Sequence, residues 1–465
     1  MLFLSAAVAL ALVACATVAD SDGDLVTDSA LPEESVPDLA SSLDHVQSYL
    51  RFADPAAALH SYQEAMETQP EAAGTQILLA RLYLLAGDDQ SAEHQLLGVL
   101  RDPFPLTPEE TAEAHYGLSL LAASRGEPAR QRQRLQEAVD ANPQHSDALA
   151  SLGAADARDG DTDSARLLFR RALQAAPQNV AALLGLGSLA AGADDHEEAI
   201  RYYDQANEAE PDHPFVYVDR AGVRRAQERY AEAIADMTRA IELEPEFSWH
   251  YLDRGRLYRL SGDQQAATAD FGRAIELEPD GFAGYVNRGN IAYRARRQSA
   301  ALSDYEYAIG LRPDYYPAYP YLGLLNAAVG DWARAASFFV QAAQYDEREP
   351  GYALLTGLSE RFAGNDAADD ELLAELRRRA PPDTWYYDVA RLILEEANTL
   401  TLNSKYRRHR DRTVAARVMF YLGAVEMLSG HSATAQLYFL DAQQRTGADF
   451  LERNLAHFLG ETDVG

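Results

Sequence analysis

The chain of 465 residues has one lysine, Lys405, and one cysteine, Cys15. The lone lysine follows Ser404. A phosphate loop needs Gly-Lys-Ser/Thr, so that chemistry is excluded. Bases are scarce as a class: 41 against 72 acids, for a net charge of −31. Nucleic acid is therefore excluded as a general ligand, because phosphate neutralisation needs basic stripes. The same charge opposes broad adhesion to anionic lipid. Leu2 to Ala14 is apolar but too short to span a bilayer, and no other apolar stretch is long enough. No run alternates apolar and polar residues as strands do.

Catalytic signatures are missing too. His196-Glu197-Glu198 lacks the second histidine of a zinc helix, and no Gly-x-Ser-x-Gly occurs. Gly185 to Ala190 matches a loose dinucleotide fingerprint but falls inside a predicted helix with no strand before it. Asp20-Ser21-Asp22-Gly23-Asp24 has its glycine too early for a calcium loop. Asp159, Asp161 and Asp163 alternate correctly, but Ser164 fills the glycine position. The eleven histidines are scattered, and solvated helix faces are expected for most of them. The expectation is a chain without catalysis, cofactor or metal.

What is present is a period. Prolines stand at 143, 177, 211, 245, 279 and 313, so each step is 34 residues. With proline at position 32 of each unit, position 8 holds Gly153, Gly187, Ala221, Gly255, Gly289 and Gly323. Alanine fills position 20 at 165, 199, 233, 267, 301 and 335, and position 27 at 172, 206, 240, 274, 308 and 342. Position 24 is large: Phe169, Tyr203, Met237, Phe271, Tyr305 and Phe339. Small residues let two helices approach, and the large one fills the space between them. Proline ends the second helix. At Gly160-Asp161, Gly262-Asp263 and Gly330-Asp331, glycine makes the turn and aspartate caps the next helix.

These positions resemble the tetratricopeptide repeat family. The resemblance implies an all-α solenoid of helical hairpins, a right-handed superhelix, used as a binding surface. The register extends upstream to units at 112–145, 73–106 and 39–72, with Thr107-Pro108-Glu109-Glu110 capping a lengthened helix. Downstream, a decayed unit lies near 350–381, and a last one begins near Thr413 with a final helix over 449–459. The array thus runs over 39–381, an irregular segment over 382–412 and a final unit with its capping helix over 413–465. Within 382–412, Trp385 to Leu400 is expected as one amphipathic helix and 401–412 as a basic connector.

The leader over 1–14 has the length of a signal-peptide core and ends in Leu12-Val13-Ala14-Cys15. That ending is similar to the bacterial lipobox, although the usual basic residue ahead of it is absent. The resemblance implies a diacylated Cys15, a position outside the cytoplasm and, with Ala16 following, the outer membrane facing the periplasm. Residues 15–38 are acidic and turn-rich, as expected of a disordered tether.

In the family, positions 2, 5, 6, 9, 12 and 13 of the first helices face a concave groove. Carried over, they give Phe215, Asp219 and Arg225, then Trp249, Asp253, Arg256 and Arg259, then Asn287, Asn290, Tyr293 and Arg294. Arginine forks, amides and aromatic rings suit an extended peptide or a partner loop. Ion pairs on a solvated face would use the same residues. Arg220, Arg254 and Arg288 recur at position 7 and are expected to pack their stems and meet neighbouring carboxylates. Tyr315 to Tyr321 and the basic run Lys405 to Arg410 are further interface candidates.

The tail, with Phe420-Tyr421-Leu422-Gly423, Gly430, Ala435, Phe439, Asp449-Phe450-Leu451-Glu452 and the earlier Trp385, looks like the end of NlpI-type lipoproteins. That likeness implies an outer-membrane adaptor that docks peptidoglycan hydrolases and a protease. An assembly or pilot factor for a secretion, pilus or outer-membrane complex is the other class the features allow.

Overall fold

The computed structural model describes residues 55–66, 73–101, 105–365, 371–445 and 450–461. The leader, Cys15, the 15–38 tether and residues 39–54 of the unit expected at 39–72 lie outside the described residues. Among the described residues every regular element is helical. They form two compact units that part after Glu246.

The first unit holds α1 (Pro55–Met66), α2 (Ala73–Ala86), α3 (Asp89–Arg101), α4 (Pro108–Ser124), α5 (Pro128–Ala141), α6 (Ser146–Arg158), α7 (Thr162–Ala175), α8 (Val180–Gly192), α9 (His196–Ala209), α10 (Pro214–Ala226) and α11 (Tyr230–Leu243). The second holds α12 (Ser248–Ser261), α13 (Gln264–Leu277), α14 (Phe282–Arg294), α15 (Gln298–Leu311), a 3-10 turn (Tyr316–Ala318), α16 (Tyr319–Ala328), α17 (Trp332–Tyr345), α18 (Pro350–Phe362), α19 (Glu371–Arg379), α20 (Trp385–Ile393), α21 (Thr399–Tyr406), α22 (Arg412–Leu428), α23 (Ser432–Gln444) and α24 (Leu451–Glu461). Within each unit the repeats are hairpins of consecutive helices packed one on the next, and the fold is an all-α helical-hairpin solenoid.

The hairpins close at a left-handed residue at position 15. Glycine takes that conformation at 126, 160, 262, 330 and 364. Asp194, Glu228 and Arg296 take it in the repeats that lack the glycine, with φ near 60°. The following aspartate then caps the second helix: Asp161, Asp195, Asp263 and Asp331 accept from backbone N–H groups at 2.9–3.1 Å. Before α4, Thr107 and Glu110 form the reciprocal capping box that the sequence implies, at 2.8 and 3.1 Å.

Position 24 is buried in every repeat from Phe169 to Phe339. The position-8 glycine is what lets it in. A Cβ at Gly153, Gly187, Gly255 or Gly323 would come within 3 Å of the Phe169, Tyr203, Phe271 or Phe339 ring. The one repeat with alanine there, Ala221, has the slimmer Met237 opposite.

Three expectations need correction. The segment from Trp385 to Leu400 is two helices, not one, because the chain turns left-handed at Glu395 and Asn398 caps α21 through Thr401 N–H at 2.9 Å. The connector therefore begins after Tyr406 rather than at 401, and the final helix runs Leu451–Glu461. His145 and His250 are buried rather than solvated, and His145 caps α6 through Nδ1. The prolines at 317 and 320 do sit in first turns, those of the 3-10 turn and α16.

Candidate partner-binding faces

The position-7 arginines settle into structural roles. Arg220 donates to Asp236 at 2.7 and 3.1 Å, Arg254 to Asp270 at 2.8 Å twice, and Arg288 to Asp304 at 2.7 and 3.0 Å. Each guanidinium also lies 5.6–5.8 Å from a tyrosine ring of its own helix, at Tyr217, Tyr251 and Tyr285. The aspartates sit at position 23, half-way along the second helix. Repeats on either side carry apolar residues at both places: Leu152 with Leu168, Leu186 with Tyr202, and Leu322 with Phe338. These arginines are fully occupied and belong to the scaffold.

In the first unit, α10 positions Phe215, Asp219 and Arg225. Phe215 is half-buried, with its ring edge 6.0 Å from His213. Asp219 reaches solvent but is hemmed in by protein, and that desolvation raises its carboxyl to about 6. Arg225 is exposed, and among the described residues no carboxylate pairs with it.

In the second unit, Trp249 on α12 is 49 % exposed. One turn on, Arg256 donates to Asp253 at 2.7 Å. Arg259 is half-buried and has no ion pair among the described residues. On α14 the amides are already engaged. Asn287 donates to the Ala283 carbonyl at 2.8 Å, and Asn290 accepts from the Tyr305 hydroxyl at 2.8 Å. Tyr293 packs edge-on to Tyr321 at 5.0 Å, and Tyr321 stacks on Tyr305 at 5.8 Å. Burial and the neighbouring phenols push the Tyr305 hydroxyl far up, while Arg294 works against that rise and so lies close to it. Arg294 also lines an open cleft of about 660 Å³ with Gln264, Gln265, Thr268, Ile291 and Arg297. The structure thus brings Asn290, Tyr293 and Arg294 together, and separately Asp253 with Arg256.

The second tyrosine candidate divides. Tyr319 is buried and donates to the Pro313 carbonyl at 2.7 Å, so it is core. Tyr316 is half-exposed and stacks on Tyr345 at 4.6 Å. The basic run divides as well. Lys405 and the Tyr406 hydroxyl both reach the buried Asp388, at 2.6 and 2.7 Å, which pins α21 to α20. Arg407, Arg408 and Arg410 stay exposed.

One cluster escaped the sequence reading. Arg417 on α22 donates to Glu452 on α24 at 2.9 Å and also holds Glu349 ahead of α18. Its guanidinium lies 4.6 Å from the Trp385 ring, and the Tyr421 hydroxyl donates to Glu452 at 3.1 Å. Glu452 is 1 % exposed. The signal was present in type, since Trp385, Tyr421 and Glu452 all stand out. No sequence spacing could join them.

No group of three or more His, Cys, Asp and Glu side chains able to hold a metal ion occurs among the described residues. No described helix is long and apolar enough to cross a membrane.

Models of the tetratricopeptide repeat match residues 43–108, 116–179, 218–280 and 252–316, and a second model of the same description matches 156–217. No curated protein sequence matches the chain. Among solved structures, a tetratricopeptide repeat protein from Parabacteroides merdae is 20% identical, covering 54% of this chain and 99% of its own, with a TM-score of 0.38. The pilF protein of Pseudomonas aeruginosa is 21% identical over 44% of this chain and 94% of its own, at 0.40. MamA from Desulfovibrio magneticus is 22% identical over 37% and 97%, at 0.32.

Proposed function

We infer the function of a chain that belongs to the tetratricopeptide repeat family, whose repeats imply a protein-binding scaffold. The reading proposed is a non-catalytic adaptor that holds extended segments of partner proteins on its first helices, anchored in the bacterial cell envelope through a lipid on Cys15. The observations that carry this reading are Arg225 in the first unit and, separately, Arg259 and Arg294 in the second. They occupy positions 12, 12 and 13 of successive first helices, yet have no carboxylate partner among the described residues, in a chain of net charge −31. Unspent guanidiniums, with Tyr293 next to Arg294 in the chain, suit the carboxylates and backbone of an incoming segment. The Asp253–Arg256 pair and the amides of Asn287 and Asn290 shape that face, and Phe215 and Asp219 flank Arg225. The envelope location rests on the apolar leader that ends at Cys15.

Two measurements test these halves separately. Palmitate labelling in the host should mark the natural chain and not Cys15→Ser; equal labelling removes the anchor. Affinity capture from detergent-solubilised envelope compares the natural chain with a bait carrying Arg225, Arg256, Arg259 and Arg294 changed to Glu. Murein hydrolases or a protease retained by the first alone support the adaptor. Pore subunits in their place favour an assembly factor. The same set on both baits removes the arginines from the binding face.

A further inference from the structure

The two most exposed large apolar side chains among the described residues are Leu400 on α21, at 75 %, and Leu437 on α23, at 70 %. Leu440 follows Leu437 by three residues and shares its helix face, also exposed. On α21 Leu400 and Ser404 are exposed one turn apart, and the exposed Arg407 and Arg408 follow directly after the helix ends at Tyr406. The two helices are tied at both ends. Arg445, just after α23, donates to the Arg407 carbonyl at 3.2 Å. The Thr399 hydroxyl at the start of α21 donates to Glu426, which also meets His431 ahead of α23. Arg407 lies near enough to Tyr438 for its charge to act on the phenol. The basic turn therefore adjoins the helix that carries Leu437 and Leu440.

Four carboxylates around this turn are already engaged, and a fifth, Asp383, lies near enough to Tyr406 for its charge to act on the phenol. Asp388 is taken by Lys405 and Tyr406, and Asp441 by Arg445. Glu426 is held as above, and Asp411 caps α22 through the Thr413 and Val414 N–H groups. Arg407, Arg408 and Arg410 have no ion pair among the described residues. None of these residues lines the clefts described, which involve α13, α14 and α15.

We propose that Leu400, Leu437 and Leu440, with Arg407, Arg408 and Arg410, form a face that seats on an anionic lipid bilayer. The leucines enter the boundary between headgroups and acyl chains, and the guanidiniums meet phosphate oxygens. Leucines that stand out singly beside arginines suit a fluid interface, because lipid can close around each one. A folded protein partner would need a matching pocket for each. The net charge of −31 keeps the rest of the surface away from such a bilayer, so contact is confined to this face and fixes the molecule's orientation. The inference is independent of which proteins, if any, the first helices hold.

The test uses the full chain with Cys15→Ser and Leu437→Cys, which leaves a single thiol for an environment-sensitive fluorophore. Phosphatidylcholine vesicles containing phosphatidylglycerol should shift its emission to the blue, and phosphatidylcholine alone should not. Added salt should weaken the effect. R407E/R408E/R410E should lower partitioning about tenfold or more. R166E/R170E/R201E, which makes the same change of net charge on exposed arginines of the first unit, should not. Absence of the shift, or equal losses from both triple variants, overturns the proposal. A shift on adding polyglutamate but not on adding vesicles also overturns it and assigns the face to an acidic protein segment.

Discussion

Arg254 donates two hydrogen bonds of 2.8 Å to Asp270, sixteen residues further on and on the second helix of the same repeat. The pair is largely buried, and Arg254 holds its proton more tightly than a free guanidinium because Asp270 accepts from it. Asp270→Ala should therefore cost about 3 kcal/mol, since it strands a desolvated cation. The double variant R254L/D270L should return to within about 1 kcal/mol of the natural chain, because it installs an apolar pair like those in the repeats outside the three that carry Arg–Asp. Urea midpoints of the three proteins check this. A double variant as weak as the single one defeats the argument.

Backbone conformation supplies a second prediction. Glu228 holds φ at 60° in a turn where seven other described hairpins have glycine. Glu228→Gly should stabilise the first unit by about 1 kcal/mol, and Gly262→Ala, at φ 93°, should destabilise the second by a similar amount. Thermal midpoints moving in opposite directions are the expected outcome.

Asp219 sets a pH dependence. Its folded carboxyl titrates near 6 because it is hemmed in by protein, against an ordinary value of 3.8. A folded state that grips the proton more tightly is favoured below the unfolded value, and that advantage is lost as pH rises through about 6. Asp219→Asn should therefore be more stable than the natural chain at about pH 8, with the difference fading toward about pH 4. Denaturation midpoints across that range measure it; a constant difference would exclude the titration.

Glu452 fastens the last helix. Glu452→Ala leaves Arg417 with Glu349 alone and should cost about 3 kcal/mol. Amide exchange should accelerate through Leu451–Glu461 and leave α12 to α15 unchanged. Uniform acceleration would mean that α24 is not held chiefly by this contact.

The period of 34 made the hairpins legible, because proline, glycine and alanine each have one backbone or packing job at a fixed place. The recurring arginines at 220, 254 and 288 were legible as packed residues that meet carboxylates. Their partners at 236, 270 and 304 were not, since an aspartate on a helix could equally face water. The break at Glu395 was hidden because no glycine or proline marks it. Asn287 and Asn290 were expected to line the groove, but their amides are spent on Ala283 and Tyr305, contacts that depend on rotamers and not on spacing. Arg417 was silent because its partners lie 35 and 68 residues away.

The bonds between Arg254 and Asp270, and between Arg288 and Asp304, begin and end inside a single 34-residue repeat. A charge and its counter-charge therefore travel together whenever a repeat is copied, lost or moved. The central stretch can change in length by whole repeats without orphaning either ion, and a partner's reach along the surface can be tuned by counting repeats while the interior chemistry stays the same.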